Sequence, residues 1–194
     1  MPEPMTQSAA DARVRCGWAT SAPEYVAYHD EEWGRALHGV TAMFERLSLE
    51  AFQSGLSWLV ILRKRSAFRA AFADFEPEKV AAFDDGDVQR LLADAGIVRN
   101  RAKIEATVHN AGAVLTLDEP LDELLWSFAP DPATHRRPAT LAEVPATSPE
   151  SVAMARTLKR KGLRFVGPTT CYALMQAAGL VDDHVQGCWR AAMN

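Results

Sequence analysis

Four of the cysteines and histidines of the 194-residue chain, residue types that hold a transition metal, fall into two widely separated pairs. Cys16 and His29 have twelve residues between them near one end of the chain, and His184 and Cys188 have three between them near the other. The second spacing predicts two side chains on one face of a helical turn, where they can converge on one ion. Two thiolates and two imidazoles form a donor set that tetrahedral zinc accepts. A site closed by four protein ligands is structural, because it keeps no open position for catalysis. Zinc there would tie the two ends of the chain onto its body. Spacing alone leaves a second reading open, since a free cysteine also behaves as a small apolar residue and is commonly buried. The remaining cysteine, Cys171, lies among Tyr172, Ala173 and Leu174 and is expected in the core. Three cysteines make no disulfide framework, and reduced thiols fit a cytoplasmic protein.

Aromatic residues crowd the region beside the first pair. Trp18, Tyr25, Tyr28 and Trp33 are followed by Glu50, Gln53 and Trp58 in the stretch Glu50-Ala51-Phe52-Gln53-Ser54-Gly55-Leu56-Ser57-Trp58. Aromatic faces with one carboxylate suit a flat, cationic or electron-poor ring. Stacking and cation–π attraction act on the ring, and the carboxylate accepts its N–H groups. Core aromatics with an exposed Glu50 would satisfy the same residue types.

A third constellation is Lys159-Arg160-Lys161-Gly162-Leu163-Arg164-Phe165-Val166-Gly167-Pro168-Thr169. A glycine-containing turn that enters a helix exposes backbone N–H groups, which bind phosphate. Lys159, Arg160, Lys161 and Arg164 add positive charge. This is the pattern of a helix-hairpin-helix, which grips a DNA backbone without reading its sequence. An ordinary connection with a solvated basic end fits equally well. Arg63-Lys64-Arg65 and the stretch from Arg99 to Lys103 are further basic clusters that could join such a face.

The elements that must position these groups read as helices. Ser148 and Pro149 form an N-cap and first helical residue, with Gly162 as the stop. Val88, Leu91, Leu92 and Ala95 repeat at helical spacing before Gly96, and Ile104, Val108, Ala111 and Leu115 continue the spacing in the next helix. Phe44, Leu47 and Ala51 mark another helix, and Trp58, Ile61 and Leu62 mark one after Gly55. A last helix runs from about Thr169 to Ala178, stopped by Gly179. Strand alternation is nearly absent, so the expectation is an all-α fold of roughly seven to ten helices. The stretch 129–148, with four prolines, reads as a connection within one domain.

Composition bounds the rest. Hydrophobic residues make up 48% and charged residues 24% of the chain, as in ordinary globular proteins. No run of apolar residues reaches the length of a membrane span, and the N-terminus lacks the apolar segment of a secretory signal. Residues 1–14 read as a flexible tail and 15–194 as a single helical domain, expected to act as a monomer. The net charge of −4 excludes a uniformly basic surface but not a local basic patch.

Taken together, these segments resemble the 3-methyladenine DNA glycosylase I family, within the helix-hairpin-helix DNA glycosylase superfamily. The resemblance rests on Arg15-Cys16-Gly17-Trp18, Tyr28-His29-Asp30-Glu31-Glu32-Trp33-Gly34, Glu50 through Trp58, and Asp94-Ala95-Gly96-Ile97-Val98-Arg99. It continues through Leu125-Trp126-Ser127-Phe128 and from Phe165-Val166-Gly167 to His184 and Cys188, so it spans about 15 to 188. It implies an all-α fold with one structural Zn2+ held by Cys16, His29, His184 and Cys188. It implies hydrolytic excision of 3-methyladenine from alkylated double-stranded DNA. Glu50, Trp58 and Tyr28 would be the catalytic-site residues, with Trp18, Tyr25, Trp33 and Gln53 binding the substrate. Lys161, Arg164, Phe165, Val166, Gly167 and Thr169 would contact DNA.

Two positions bear on mechanism. Superfamily members with lyase activity place a lysine after the hairpin, which in register falls at Thr169; threonine forms no Schiff base, so a monofunctional enzyme is expected. The superfamily aspartate falls at Asp182, which either belongs to the turn flanking the metal or assists catalysis. Two other classes compete: a DNA- or purine-binding module without chemistry, and a catalytic zinc hydrolase, which the four-ligand set disfavours.

Overall fold

The computed structural model describes residues 12–192, and all regular structure among them is helical, without strands. Most of the expected N-terminal tail, 1–11, lies outside the described residues. The helices are α1 (Pro23–Glu31), α2 (Val40–Gln53), α3 (Trp58–Ala71), α4 (Pro77–Ala81), α5 (Asp85–Ala93), α6 (Arg101–Leu115), α7 (Leu121–Trp126), α8 (Pro149–Arg160) and α9 (Pro168–Ala177). No helix among the described residues is long and apolar enough to cross a membrane.

Local chemistry sets the boundaries. Ser148 accepts from the backbone N–H of Ser151 while the Ser151 hydroxyl accepts from that of Ser148, a reciprocal cap at the start of α8. Asp84 and Asp87 form the same device at α5, and Asn100 caps α6 through the Lys103 N–H. The chain leaves α9 at Gly179 with φ +77°, where a Cβ would lie 2.6 Å from the backbone of Arg35. Only glycine meets both demands.

Gly96 acts differently from the expected stop. Helix α5 ends at Ala93, and Gly96 has no positive φ. A Cβ there would come within 3.0 Å of the Ala67 Cβ on α3, so this glycine serves close approach, not helix termination. The buried stripe of α6 also differs from expectation at its end: Ile104, Ala111 and Val114 face the core, whereas Leu115 is exposed. The segment holding His184 and Cys188 is not a helical turn at all. It is an irregular strap in which the Cys188 N–H bonds the Val185 carbonyl.

Helix α2 is the central element. It packs on α3, α6, α7 and α9, and Met43, Phe44, Leu47, Leu49 and Phe52 are fully buried in it or nearly so. Phe52 meets Phe68 and Phe72 of α3, and Phe72 stacks on Phe75 at a centroid distance of 5.4 Å. Burying rings of this size on one side fixes the rotation of α2, which turns Glu50 and Gln53 toward the opposite flank. Cys171 lies in this core, as its neighbours predicted, and burial pushes its thiol up to about 12.

The basic clusters fare unequally. Lys103 is buried, and its ammonium donates to the carbonyls of Phe52 (2.9 Å) and Ser54 (2.6 Å). It caps the C-terminus of α2, where orphan carbonyls attract a cation, and is no part of a surface face. Arg63 pairs with Glu24, Lys64 bonds the carbonyls of Ala95 and Gly96, and Arg65 pairs with Glu32. That trio ties helices together and does not form an open patch.

Candidate functional site

The turn Gly17–Thr20, helix α1 with the residues just after it, helix α2 and the start of α3 bring Trp18, Tyr25, Tyr28, Trp33, Glu50, Gln53 and Trp58 onto the wall of one cavity of about 500 Å3. All seven pocket residues expected from the sequence are therefore together. Trp18 meets Tyr25 edge-on at 5.6 Å and Trp33 edge-on at 5.1 Å, and Tyr28 meets Trp58 at 5.5 Å with the rings tilted by 48°. Polar ends of the rings are tied to the scaffold. The Tyr25 hydroxyl accepts from the Leu59 N–H at 2.9 Å, which fastens α1 to the first turn of α3. The Tyr28 hydroxyl accepts from Arg46 at 2.9 Å.

Glu50 is the chemical centre of this wall. It is 5% exposed and makes no hydrogen bond to another described residue. Burial pushes its carboxyl up to about 7, and the guanidinium of Arg46 pulls in the opposite direction. A carboxylate left without donors in an aromatic cavity is an acceptor waiting for a ligand's N–H groups and charge. The Trp58 indole N–H is likewise buried without a partner among the described residues.

Further lining residues are ones that the sequence did not single out as site residues. Leu141 and Val144 belong to the proline-rich connection, which forms a wall of the cavity, and Gln176 and Ala177 belong to α9. Asp183 also lines the cavity; it is buried and accepts from the Tyr172 hydroxyl (2.7 Å) and the Gln176 amide (2.8 Å). Its neighbour Asp182 does not line the cavity. The Asp182 carboxylate bonds His184 Nδ1 at 2.8 Å and pairs with Arg137. The contact between 182 and 184 puts those two on one side of the strap and leaves Asp183 facing the cavity.

Behind Trp18 and Trp33 lies the metal-type cluster. Donor atoms of Cys16, His29 and Cys188 lie within 4.8 Å of one another, and His29 Nε2 is 3.3 Å from Cys188 Sγ. His184 stands beside them, its ring centroid 5.1 Å from that of His29, and its Nε2 is buried with no partner among the described residues. Each imidazole is oriented through Nδ1 by a carboxylate at 2.8 Å, His29 by Asp30 and His184 by Asp182. Burial would raise the Asp30 carboxyl, but hydrogen bonds from Arg15, His29 and Trp189 bring it to about 2. Burial pushes the Cys16 thiol up to about 12 and shifts His29 downward, toward its neutral form. An orphaned ring nitrogen, two thiols and carboxylates behind both imidazoles fit a divalent metal's donor set and its outer support.

The connection 161–167 between α8 and α9 is fixed from α6. Asn110 accepts from the Arg164 N–H (2.7 Å) and donates to the Arg164 carbonyl (2.9 Å), and the His109 ring bonds the Gly162 carbonyl. These bonds hold Phe165 at φ +57° with its ring 41% exposed, a conformation that costs a bulky residue roughly 1–2 kcal/mol. Arg164 and Thr169 are exposed too, and Gly167 opens α9 without a side-chain cap. Val166 departs from the expected contact set, since its side chain is in the core and only its backbone faces the turn. Lys161 pairs weakly with Asp118 and Glu119.

The family described as methyladenine glycosylase matches residues 18–191 of this chain. DNA-3-methyladenine glycosylase 1 of Escherichia coli (strain K12) is 46% identical over 177 residues, covering 90% of this chain and 95% of that protein. A crystal structure of a 3-methyladenine DNA glycosylase I superposes with a TM-score of 0.87 at 43% identity, covering 91% of this chain and 98% of that one. A Staphylococcus aureus 3-methyladenine DNA glycosylase I, solved to show how it recognises 3-methyladenine, superposes with a TM-score of 0.85 at 35% identity, over 92% and 97% of the two chains.

Proposed function

The chain belongs to the methyladenine glycosylase family, and from that premise we propose that it excises 3-methyladenine from alkylated double-stranded DNA by hydrolysing the N-glycosidic bond. The observation that carries this reading is the buried Glu50 carboxyl, without a hydrogen-bond donor of its own, in a cavity walled by Trp18, Tyr28 and Trp58. Methylation at N3 gives adenine a positive charge and weakens its bond to the sugar. A cavity of aromatic faces around one carboxylate favours that cation over neutral purines.

The reaction asks little general-acid help from the protein, because the base leaves neutral once the bonding electrons pass to the charged ring. Extruding the base costs a few kcal/mol of stacking, and stacking on Tyr28 and Trp58 offsets part of that cost. Glu50 accepts the N–H groups of the base and balances its charge. Trp18, Tyr25, Trp33 and Gln53 complete the pocket. Water then adds to the sugar carbon and loses a proton. Thr169 cannot form a Schiff base, so no lyase step follows.

The α8–α9 turn acts as the DNA grip of a helix-hairpin-helix. Lys161, Arg164 and Thr169, with the backbone at Val166 and Gly167, approach phosphate, and the exposed Phe165 lies at the same edge. Cys16, His29, His184 and Cys188 hold one structural Zn2+. Bound there, it would tie the irregular strap 182–188 to the N-terminal segment around Cys16 and leave no metal position for chemistry. Residues 15–194 act as one domain and one monomer.

Single-turnover incubation with methylated duplex DNA, followed by chromatographic identification of the released base, tests the reading. Free 3-methyladenine is expected from the wild type and is expected to be lost with Glu50→Gln. Binding of DNA without release by the wild type would refute the enzymatic reading and leave a binding module.

A further inference from the structure

A charged residue outside the cavity contacts two of the side chains that line it. Arg46 sits on α2 one turn before Glu50 and is 9% exposed, with its guanidinium behind the aromatic wall. It donates to the Tyr28 hydroxyl at 2.9 Å. The same guanidinium lies 5.4 Å from the Tyr28 ring centroid and 5.6 Å from that of Trp58. Its own charge is answered on the far side by Glu32, 3.5 Å away, which also accepts from Arg65 at 2.7 Å.

We propose that Arg46 is a positioning residue for base excision: it locks the planes of Tyr28 and Trp58 and sets a positive charge one helical turn from the Glu50 carboxyl, where it favours the carboxylate. This rests on the reading of the cavity as the base pocket. Direct contacts support the first half, and the helical spacing of residues 46 and 50 supports the second. One guanidinium touching both rings and bonding the hydroxyl of one removes the freedom of the pair to tilt. A cation one helical turn from a buried carboxylate on the same helix offsets part of the cost of its charge.

Among the described residues, the other titratable groups on the cavity wall are Tyr25 and Tyr28 from α1 and Asp183 from the strap after α9. Glu32 and Arg65 stand beyond Arg46. Of these, Arg46 alone both lowers the Glu50 carboxyl and touches the rings of the pocket. Burial leaves that carboxyl at about 7 even with Arg46 present. Without it, the carboxylate that a cationic base needs would be scarce at neutral pH.

Two readouts test this. The first is the titration midpoint of the Glu50 carboxyl by carbon-13 NMR in full-length protein, assigned by its absence in Glu50→Gln. Arg46→Met and Arg46→Gln are expected to raise the midpoint by about one pH unit or more, and Arg46→Lys to leave it near the wild-type value. The second is the pH profile of single-turnover release of 3-methyladenine from methylated duplex DNA. The acidic limb is expected to move up with the midpoint in the neutral variants. Release on that limb falls about tenfold, and Lys restores the position of the limb. Circular dichroism checks that each variant is folded, and the Gln variant serves if the Met variant is not. An unchanged midpoint in the neutral variants overturns the proposal, as does an equal shift in Arg46→Lys. Absence of release by the wild type would sink the base-pocket reading, while the NMR midpoint still decides the role of Arg46.

Discussion

Replacing Glu50 by glutamine is expected to stabilise the protein at alkaline pH while abolishing base release. The carboxyl is raised from 4.5 to about 7 by burial. Between those values the folded state binds a proton that the unfolded chain has released, so stability falls as pH rises through this window. A shift of about 2.5 units corresponds to roughly 3 kcal/mol of destabilisation by the time pH 8 is reached, and to under about 1 kcal/mol at pH 5. Glutamine keeps the shape and loses the charge, so Glu50→Gln should gain roughly 2 kcal/mol on the wild type between pH 5 and pH 8. Its amide, like the carboxyl, finds no partner in the wall, which trims the gain but not its pH dependence. Urea denaturation at both pH values, with equal m-values, measures the difference. Parallel stability curves for the two proteins from pH 5 to pH 8 would refute the claim that a buried charge at Glu50 is held against its own desolvation. Under the proposed reading, a loss of stability at Glu50 is what a cation-binding pocket entails: the charge is available to a ligand because nothing else in the cavity satisfies it.

Other perturbations probe the remaining parts. Trp58→Ala should weaken binding of free 3-methyladenine by roughly 10- to 100-fold, the worth of one stacked base, measurable by tryptophan-independent calorimetry; unchanged affinity would remove Trp58 from the pocket. His184→Ala is expected to lower zinc content by metal analysis and to destabilise the fold, and Asp182→Asn to weaken zinc binding by roughly 10- to 100-fold through loss of the imidazole's orienting partner; a stoichiometric metal content in His184→Ala would remove it from the ligand set. Asn110→Ala removes both bonds that fix the Arg164 backbone and should cost about 1–3 kcal/mol of stability. It should weaken DNA binding in a filter or anisotropy assay while leaving affinity for the free base unchanged, and an equal loss in both would argue that the turn is coupled to the pocket.

The sequence by itself marked the helices α2, α3, α5, α6, α8 and α9 and the chemical types at the site, but not α1, α4 or α7. Ser148 with Pro149, and Gly179 after α9, act through neighbours a few residues away, so their meaning is local and legible. The Cys/His pairs and the run from Glu50 to Trp58 pointed to side chains that the fold brings together, Cys16, His29 and Cys188 in one cluster and Glu50, Gln53 and Trp58 on one cavity wall. Tertiary structure alone decided which groups meet. It buried Lys103 on the carbonyls of Phe52 and Ser54, turned Asp183 rather than Asp182 to the cavity, and brought Leu141 and Val144 over it from a connection without periodicity. It also set the His184–Cys188 strap as irregular chain, where spacing suggested a helical turn. Arg46 reads in the sequence as one more charge on an amphipathic helix; its neighbours Tyr28 and Trp58 are 18 residues before it and 12 after it in the chain. Caps and turns depend on a few adjacent residues, whereas burial and the charge state of Glu50 depend on every element packed around α2.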